Sequence, residues 1–339
     1  EPYRRQRQMC IRDRITPGWN GVSFVGRLLD SILNQTYPNM EYIYIDDGST
    51  DGTKDVVLSY KEKFQKAGIS FEYVYKENGG VSSAVNEGLK RVKGDYLCWP
   101  EYDDILISDS VERKVCYLET HKDCAVVTSD AWLVEDNDIT KVTGVLSHHN
   151  PNRFDRNHFF QALMTNSIFT AACHMIRMSM FDEVNPERYI YPSWIGPNWQ
   201  MLLPVYYKFN RGFIETPLVY YVIRSESISH SHNTLEKKDR AIDEYIRILR
   251  YVLGTIDMPE DDRSFYNKMI DEKYSWDRML LGLKHNDRKT FDKGYLYWNQ
   301  SECIPEKVAF LKKRFDNPFL NWACLLVEKV VGKLKKQLL

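Results

Sequence analysis

Residues 30–53 read DSILNQTYPNMEYIYIDDGSTDGT, and this stretch decides the fold. Its middle, MEYIYID (40–46), is a short β-branched and aromatic run closed by Asp47-Gly48-Ser49, the pattern of a strand ending in a tight turn. Before it, Val22, Val25, Leu28, Leu29, Ile32 and Leu33 mark one helical face that stops at Tyr37-Pro38-Asn39. After it, Thr50 or Asp51 can cap a helix bearing Val56, Val57, Tyr60 and Phe64. FEYVY (71–75), the turn Asn78-Gly79-Gly80, a helix over 81–92 and the strand DYLCW (95–99) repeat the cycle. Strand-turn-helix units in such succession predict an α/β fold with a parallel, doubly wound sheet.

Farther along the chain the alternation loosens. A helix is expected at 108–120, strands at 124–134, 170–177 and 213–223, and a helix near 197–208. From Thr234 strand signals fade, and 240–253 and 265–283 read as amphipathic helices, so a boundary is drawn near 232 at SESISHSHN. Upstream, residues 1–14 (EPYRRQRQMCIRDR) lack an apolar period and read either as a foreign leader or as a native basic tail. On the first reading only Ile15 is left of a first strand. The expected division is leader 1–14, an α/β domain 15–232 and a helical region 233–339.

The 339 residues carry 46 Lys+Arg against 47 Asp+Glu, a balance that argues against disordered and nucleic-acid-coating classes. The charge is unevenly spread. Five arginines against Glu1 and Asp13 give residues 1–14 a net +3, and residues 306–339 carry +5, which leaves −9 for 15–305. Such an acidic body needs a metal ion or focused backbone dipoles to handle an anionic substrate. Seven cysteines without a CxxC spacing suggest reduced thiols, and no apolar run is long enough for a spanning helix or signal core; a cytoplasmic protein is expected.

Carboxylates collect at the ends of the expected strands, where open α/β sheets bind ligands. Asp46 and Asp47 end one strand; Glu101, Asp103 and Asp104 follow another, after Pro100. Carboxylates at that spacing, beside Gly-rich turns, suit a hard divalent cation that also takes phosphate oxygens; each segment alone could equally be a solvated turn.

Taken together, ITPGWNG (15–21), residues 30–53 and KENGGVSSAVNEGLKRVKGDYLCWPEYDDIL (76–106) closely resemble glycosyltransferase family 2, with its Rossmann-like nucleotide-diphospho-sugar transferase (GT-A) fold. The likeness is dense over 15–106 and looser to about 231. It implies a donor pocket walled by Thr16, Pro17, Trp19 and Asn20, with Asp47 on the uracil or ribose, and with Asn78, Gly79, Gly80 and Ser83 closing over the nucleotide. Glu101-Tyr102-Asp103 falls on the family's Asp-x-Asp motif. Asp103 would then bind Mn²⁺ or Mg²⁺ bridging the diphosphate, with Glu101 near the sugar or ribose.

One departure matters. Where inverting members carry a Glu-Asp pair supplying the general base, this chain has Pro197-Asn198, ahead of Trp199. Neither residue is a base, so Asp104, Asp182, Glu183 or Glu187 would have to serve, or the protein binds a nucleotide sugar without ordinary turnover. His230 and His232 are candidate metal or phosphate contacts, or merely solvated; Trp194 and Trp199 are candidate acceptor-stacking rings, or packing anchors.

Residues 317–339 place Phe319, Trp322, Leu326, Val330 and Leu334 at helical spacing among lysines, which suits either an interfacial helix on an anionic membrane or a terminal packing helix. The resulting expectation is a metal-dependent, inverting transferase using a UDP-linked sugar, with a saccharide or glycolipid acceptor in surface polysaccharide assembly. A nucleotide-sugar-binding protein without turnover is the alternative. A sugar nucleotidyltransferase is disfavoured because its Gly-rich N-terminal loop is missing; dinucleotide and P-loop readings fail for want of GxGxxG and GxxxxGK[ST].

Overall fold

The computed structural model describes residues 12–147, 150–223, 234–301, 303–325 and 327. Two compact units emerge, Glu1–His230 with Arg247–Asp257, and Ser231–Ile246 with Met258–Leu339.

The first unit is built on a sheet of nine strands: β1 (Arg12–Gly18), β2 (Met40–Asp47), β3 (Ser70–Lys76), β4 (Tyr96–Cys98), β5 (Ile105–Leu106), β6 (Cys124–Glu135), β7 (Asp138–Val145), β8 (His174–Arg177) and β9 (Asn210–Ile223). They run in the order β3-β2-β1-β4-β8-β6-β9-β5, with β7 paired to β6. β3, β2, β1 and β4 are parallel, as expected. The far half corrects the all-parallel expectation: β8 runs antiparallel to β4 and to β6, β9 is parallel to β6, and β5 is antiparallel to β9. The expected strand at 170–177 opens instead with a 3₁₀ turn, Ala171–Cys173.

Helices α1 (Val25–Leu33), α2 (Thr53–Ser59), α3 (Lys61–Lys66), α4 (Val81–Leu89) and α5 (Ser110–Thr120) link these strands. α6 (Phe159–Leu163), α7 (Met178–Val184) and α8 (Pro197–Lys208) follow. The apolar stripe of α1, through Val25, Leu28, Leu29 and Ile32, is buried against Tyr42 and Tyr44 of β2 and forms the heart of the main core.

β1 begins three residues earlier than the leader reading allowed. Asp13 and Arg14 are buried in it, a burial that charged residues reach only with partners. The Asp13 carboxylate accepts the Gly94 N–H at 2.7 Å and also that of Lys93, and Arg14 Nη2 reaches Met40 Sδ at 2.8 Å. Backbone donors thus stand where an apolar pattern would normally signal a strand. β7 escaped the sequence reading because most of its residues face solvent.

The second unit is helical, with the start of α9 (Leu235–Thr255), α10 (Glu260–His285), α11 (Arg288–Asn299) and α12 (Glu306–Asp316). Met279, Leu283, Phe291, Trp298, Val308 and Leu311 make its core. No helix among the described residues is long and apolar enough to cross a membrane. Of the segment at 317–339, residues 326 and 328–339 lie outside the described residues, and so does the 224–233 stretch holding His230 and His232.

Candidate nucleotide-sugar site

Four turns leave the C-terminal ends of β1, β2, β3 and β4 on one edge of the sheet, and their residues interlock. After β1, Asn20 takes a left-handed φ of 49°, its Oδ1 accepts the Thr50 N–H at 2.8 Å, and its own N–H donates to Ser49 Oγ at 3.0 Å. Gly21 N–H donates to Thr53 Oγ1 at 2.8 Å. The β1 turn is therefore zipped to the Asp-Gly-Ser-Thr turn of β2. Trp19 stands 48% exposed on it, whereas Thr16 is fully buried within β1 and does not reach the pocket as a wall.

Asp46 and Asp47, adjacent in sequence, organise different things. Asp46 accepts the Ser49 N–H at 2.7 Å and the Tyr73 hydroxyl at 2.5 Å, bracing its own turn against β3. Asp47 reaches across to the β3 turn: Oδ1 accepts Lys76 Nζ at 2.6 Å and Gly79 N–H at 3.0 Å, Oδ2 accepts Gly80 N–H at 2.8 Å, and its carbonyl takes Asn78 Nδ2 at 2.9 Å. The approach is close enough that a Cβ on Gly48, at φ 76°, would lie 2.7 Å from the Asn78 nitrogen. Gly80, at φ 86°, starts α4 and meets the Ser193 carbonyl and Trp194 Cα, each 3.3 Å from where its Cβ would be. Ser83, half-buried, lies beside Gly79.

The fourth turn follows β4. Asp104 is buried, its Oδ2 accepts the Glu101 N–H at 2.9 Å, and its own N–H donates to the Glu101 carbonyl at 3.1 Å. Burial first, and then the Glu101 charge, push its carboxyl up to about 8. Asp104 is thus shut from solvent and bonded within its own turn, which argues against it as the base. Glu101, Tyr102 and Asp103 stay half-buried at the surface of the turn. The Tyr102 ring packs on Gly21, where a Cβ would come within 2.6 Å, so this turn abuts the β1 turn.

Two carboxylate oxygen donors on a half-exposed turn fit a hard cation such as Mn²⁺ or Mg²⁺. Among the described residues no group of three His, Cys, Asp or Glu could hold a metal alone, so phosphate oxygens and water would complete its shell.

Where the resemblance led to the expectation of a base, the chain holds an engaged amide. Gly196 (φ 69°) and Pro197 start α8, and Asn198 accepts the Trp99 indole N–H at 2.7 Å while donating to the Phe169 carbonyl at 2.7 Å. Asp182 and Glu183 do not substitute. Asp182 forms a two-pronged pair with Arg188 at 2.7 and 2.8 Å, and Arg188 donates to the Val92 carbonyl beside Lys93-Gly94, which hold Asp13 at the start of β1, the wrong end of the strands. Glu183 pairs at 2.6 Å with Lys208, about 15 Å down α8 from Asn198. Glu187 is exposed next to Arg188.

Several residues that shape the site had no sequence signal. Asn86 exchanges two 2.8 Å hydrogen bonds with the backbone of Ile190, and Gln200 does the same with Tyr191 at 2.7 and 3.0 Å. These amides pin the loop that carries Ser193 and Trp194, the latter 39% exposed; Trp199 instead packs edge-on against Phe169 at 5.1 Å. Only Lys76, a cation at a strand end just before a Gly-rich turn, could have been suspected.

An acidic, Gly-rich edge on a half-parallel sheet is the framework of the nucleotide-diphospho-sugar transferases. The family model described as glycosyl transferase family 2 matches residues 15–184, half of the chain, and the chain belongs to that family. An uncharacterised glycosyltransferase of Rickettsia typhi is 41% identical over 101 residues, 30% of each chain. A putative teichuronic acid biosynthesis glycosyltransferase of Bacillus subtilis, TuaG, is 31% identical over 33% of this chain and 42% of its own. The match thus spans under a third of the Rickettsia typhi protein and under half of TuaG. Among solved structures, S. aureus TarS 1–349 with UDP-GlcNAc aligns with a TM-score of 0.60 at 15% identity, over 89% of this chain and 83% of that one. The mannosyltransferase PcManGT of Pyrobaculum calidifontis, in complex with GDP-Man and Mn²⁺, gives 0.54 at 14% identity, over 96% and 86%. At such identities these structures establish the fold.

Proposed function

We propose that this protein is a metal-dependent, inverting glycosyltransferase that moves a sugar from a UDP-linked donor to a saccharide or glycolipid acceptor in cell-surface polysaccharide assembly. One observation carries the reading: at one sheet edge the Asn78-Gly79-Gly80 turn is held by Asp47 at the end of β2, the β2 turn is zipped to the β1 turn, and the Glu101-Tyr102-Asp103 turn packs through Tyr102 on Gly21 of the β1 turn. The polysaccharide context draws on the teichuronic acid assignment of TuaG, and the UDP preference on the ligands of TarS.

On this reading Trp19 and Asn20 wall the base, and Asp47, whose own carboxylate is buried and engaged, holds the Asn78-Gly79-Gly80 turn over the uracil or ribose instead of meeting it directly, while Glu101 and Asp103 hold Mn²⁺ or Mg²⁺. The ion, when bound, would neutralise charge accumulating on the leaving diphosphate. Residues 15–232 do this work at the cytoplasmic face of a membrane, and the segment 317–339 supplies contact with anionic lipid. Phe319, Trp322 and Leu325, all more than half exposed, support that contact.

The test is calorimetric titration of UDP with and without Mn²⁺, then UDP release with a supplied acceptor. Asp103→Ala should abolish the manganese-dependent part of binding; binding that ignores both the metal and the substitution would sink the proposal. The engaged Asn198 favours a second reading, a nucleotide-sugar binder without turnover. Tight UDP binding with no acceptor-dependent release across a panel of saccharides and lipid-linked acceptors would select it.

A further inference from the structure

Trp99 directly follows the short strand β4, and the four residues after Pro100 are Glu101-Tyr102-Asp103-Asp104. Both flanks of this turn are tied to the segment 169–173. On one side Asn198 bridges the Trp99 indole N–H and the Phe169 carbonyl, at 2.7 Å each. On the other, the Lys114 side chain donates to the Ala172 carbonyl at 2.6 Å and lies near the Asp104 carboxyl. Lys114 is 1% exposed on α5, and a buried ammonium is retained only where it is hydrogen-bonded or faces opposite charge. The Trp99 ring also lies flat on His174, centroids 5.8 Å apart, and His174 is fixed by Thr128 and the Ile168 carbonyl.

We infer that Asn198 is a positioning residue: the Trp99–Asn198–Phe169 bridge, seconded by Lys114 between the Ala172 carbonyl and Asp104, fixes the turn that presents Glu101 and Asp103. The inference rests on the donor-site reading above and goes beyond it, assigning a new role to the position where the family's base is expected. The amide suits the role better than a carboxylate would. It accepts from an indole N–H and donates to a carbonyl at once, whereas an ionised Asp can only accept and would face the Phe169 oxygen with like partial charge. Carboxylate oxygens that share a small cation must be held to fractions of an ångström, and a turn on a three-residue strand gets that rigidity from its surroundings.

The experiment measures UDP affinity by calorimetry across a Mn²⁺ series, and in EDTA, for the wild type, Asn198→Ala, Asn198→Asp, Trp99→Phe and the double variant Trp99→Phe/Asn198→Ala, with thermal unfolding alongside. Trp99→Phe removes the N–H together with part of a fully buried indole, so thermal unfolding separates lost packing from the lost bridge, and Asn198→Asp, which keeps the side-chain volume, guards against simple misfolding. The Mn²⁺ concentration for half-maximal UDP binding should rise at least fivefold in each single variant, Asn198→Asp included. The double variant should be no worse than the worse single, and affinity in EDTA should hold within twofold. Unchanged metal half-saturation in folded variants would overturn the inference and leave the donor site standing, as would fully multiplicative effects of the two substitutions. Wild-type UDP binding indifferent to Mn²⁺ would overturn the donor-site reading and the inference with it.

Discussion

The Lys76 ammonium stands 2.6 Å from Asp47 Oδ1, tying the end of β3 to the end of β2, with Asp47 almost wholly buried and Lys76 mostly so. Such a pair is costly to break from one side, because the surviving charge is left in a poor solvent. Asp47→Ala removes the acceptor of Lys76 and of two backbone N–H groups, so we expect a loss of about 3 kcal/mol in urea unfolding, together with loss of UDP binding. Lys76→Met, which leaves the Gly79 and Gly80 bonds in place, should cost less. Equal effects of the two substitutions would contradict this ranking.

Gly18 lies under the β1 turn, where a Cβ would come 1.9 Å from the Tyr44 hydroxyl oxygen and 2.5 Å from the ring carbon bearing it. Gly18→Ala should therefore destabilise the protein by about 2 kcal/mol or more, in the range of overpacked cores. Tyr44→Phe, which removes a buried hydroxyl with no partner among the described residues, should be neutral or mildly stabilising and should restore part of the loss in the double variant. A denaturation cycle of the four proteins checks both statements.

His158 and His174 are buried and held neutral; burial, reinforced by the Arg211 charge, lowers His158 to about 3 and His174 well below its ordinary value. The unfolded chain protonates both near 6.5 while the folded chain does not, so stability is full above that pH and falls as the pH drops. The slope should approach about 1.4 kcal/mol per pH unit for each histidine below pH 6, continuing for His158 until about 3. Urea midpoints between pH 7 and 4 for the wild type and His158→Leu should diverge, the variant showing the shallower fall. Parallel curves would count against the assignment.

In the second unit Arg278 is nearly buried between Asp239 and Asp243, at 2.5 Å from each, and Lys293 approaches the same two carboxylates at 3.0 and 2.8 Å. Arg278→Ala should cost about 3 kcal/mol by leaving two aspartates facing one partly exposed lysine. Lys293→Ala, at a more exposed position, should cost well under 1 kcal/mol. Thermal unfolding of the two variants decides the order.

The half of the fold that was legible in the sequence is the half where periodicity and turn chemistry agree. MEYIYID ends in Asp-Asp-Gly-Ser, and β2 occupies Met40–Asp47, its last side chains turned to hydrogen bonding. The far half was harder, since a strand's direction in a sheet leaves no trace in its own residues; nothing in HMIR announces that β8 runs against β4. Charged β1 hid for a different reason: one oxygen of Asp13 accepts two backbone N–H groups about eighty residues away, a partnership no local pattern records. The acidic turns of the site were readable as a group, while Lys114, Asn86 and Gln200 were not. A single polar residue on a helix does not declare whether it meets water or the interior.

Asn86 and Gln200 each satisfy both polar groups of a neighbouring peptide, Ile190 and Tyr191 in succession, as a β-strand neighbour would. The stretch from Pro192 to Ile195 thus hangs from a fixed post at its start, and Gly196 and Pro197 anchor its far end at the head of α8. Evolution, or an engineer, can rewrite the exposed side chains at Pro192 and Trp194 beside Gly80 as an exchangeable cassette, while buried Ser193 and Ile195 keep the frame in shape.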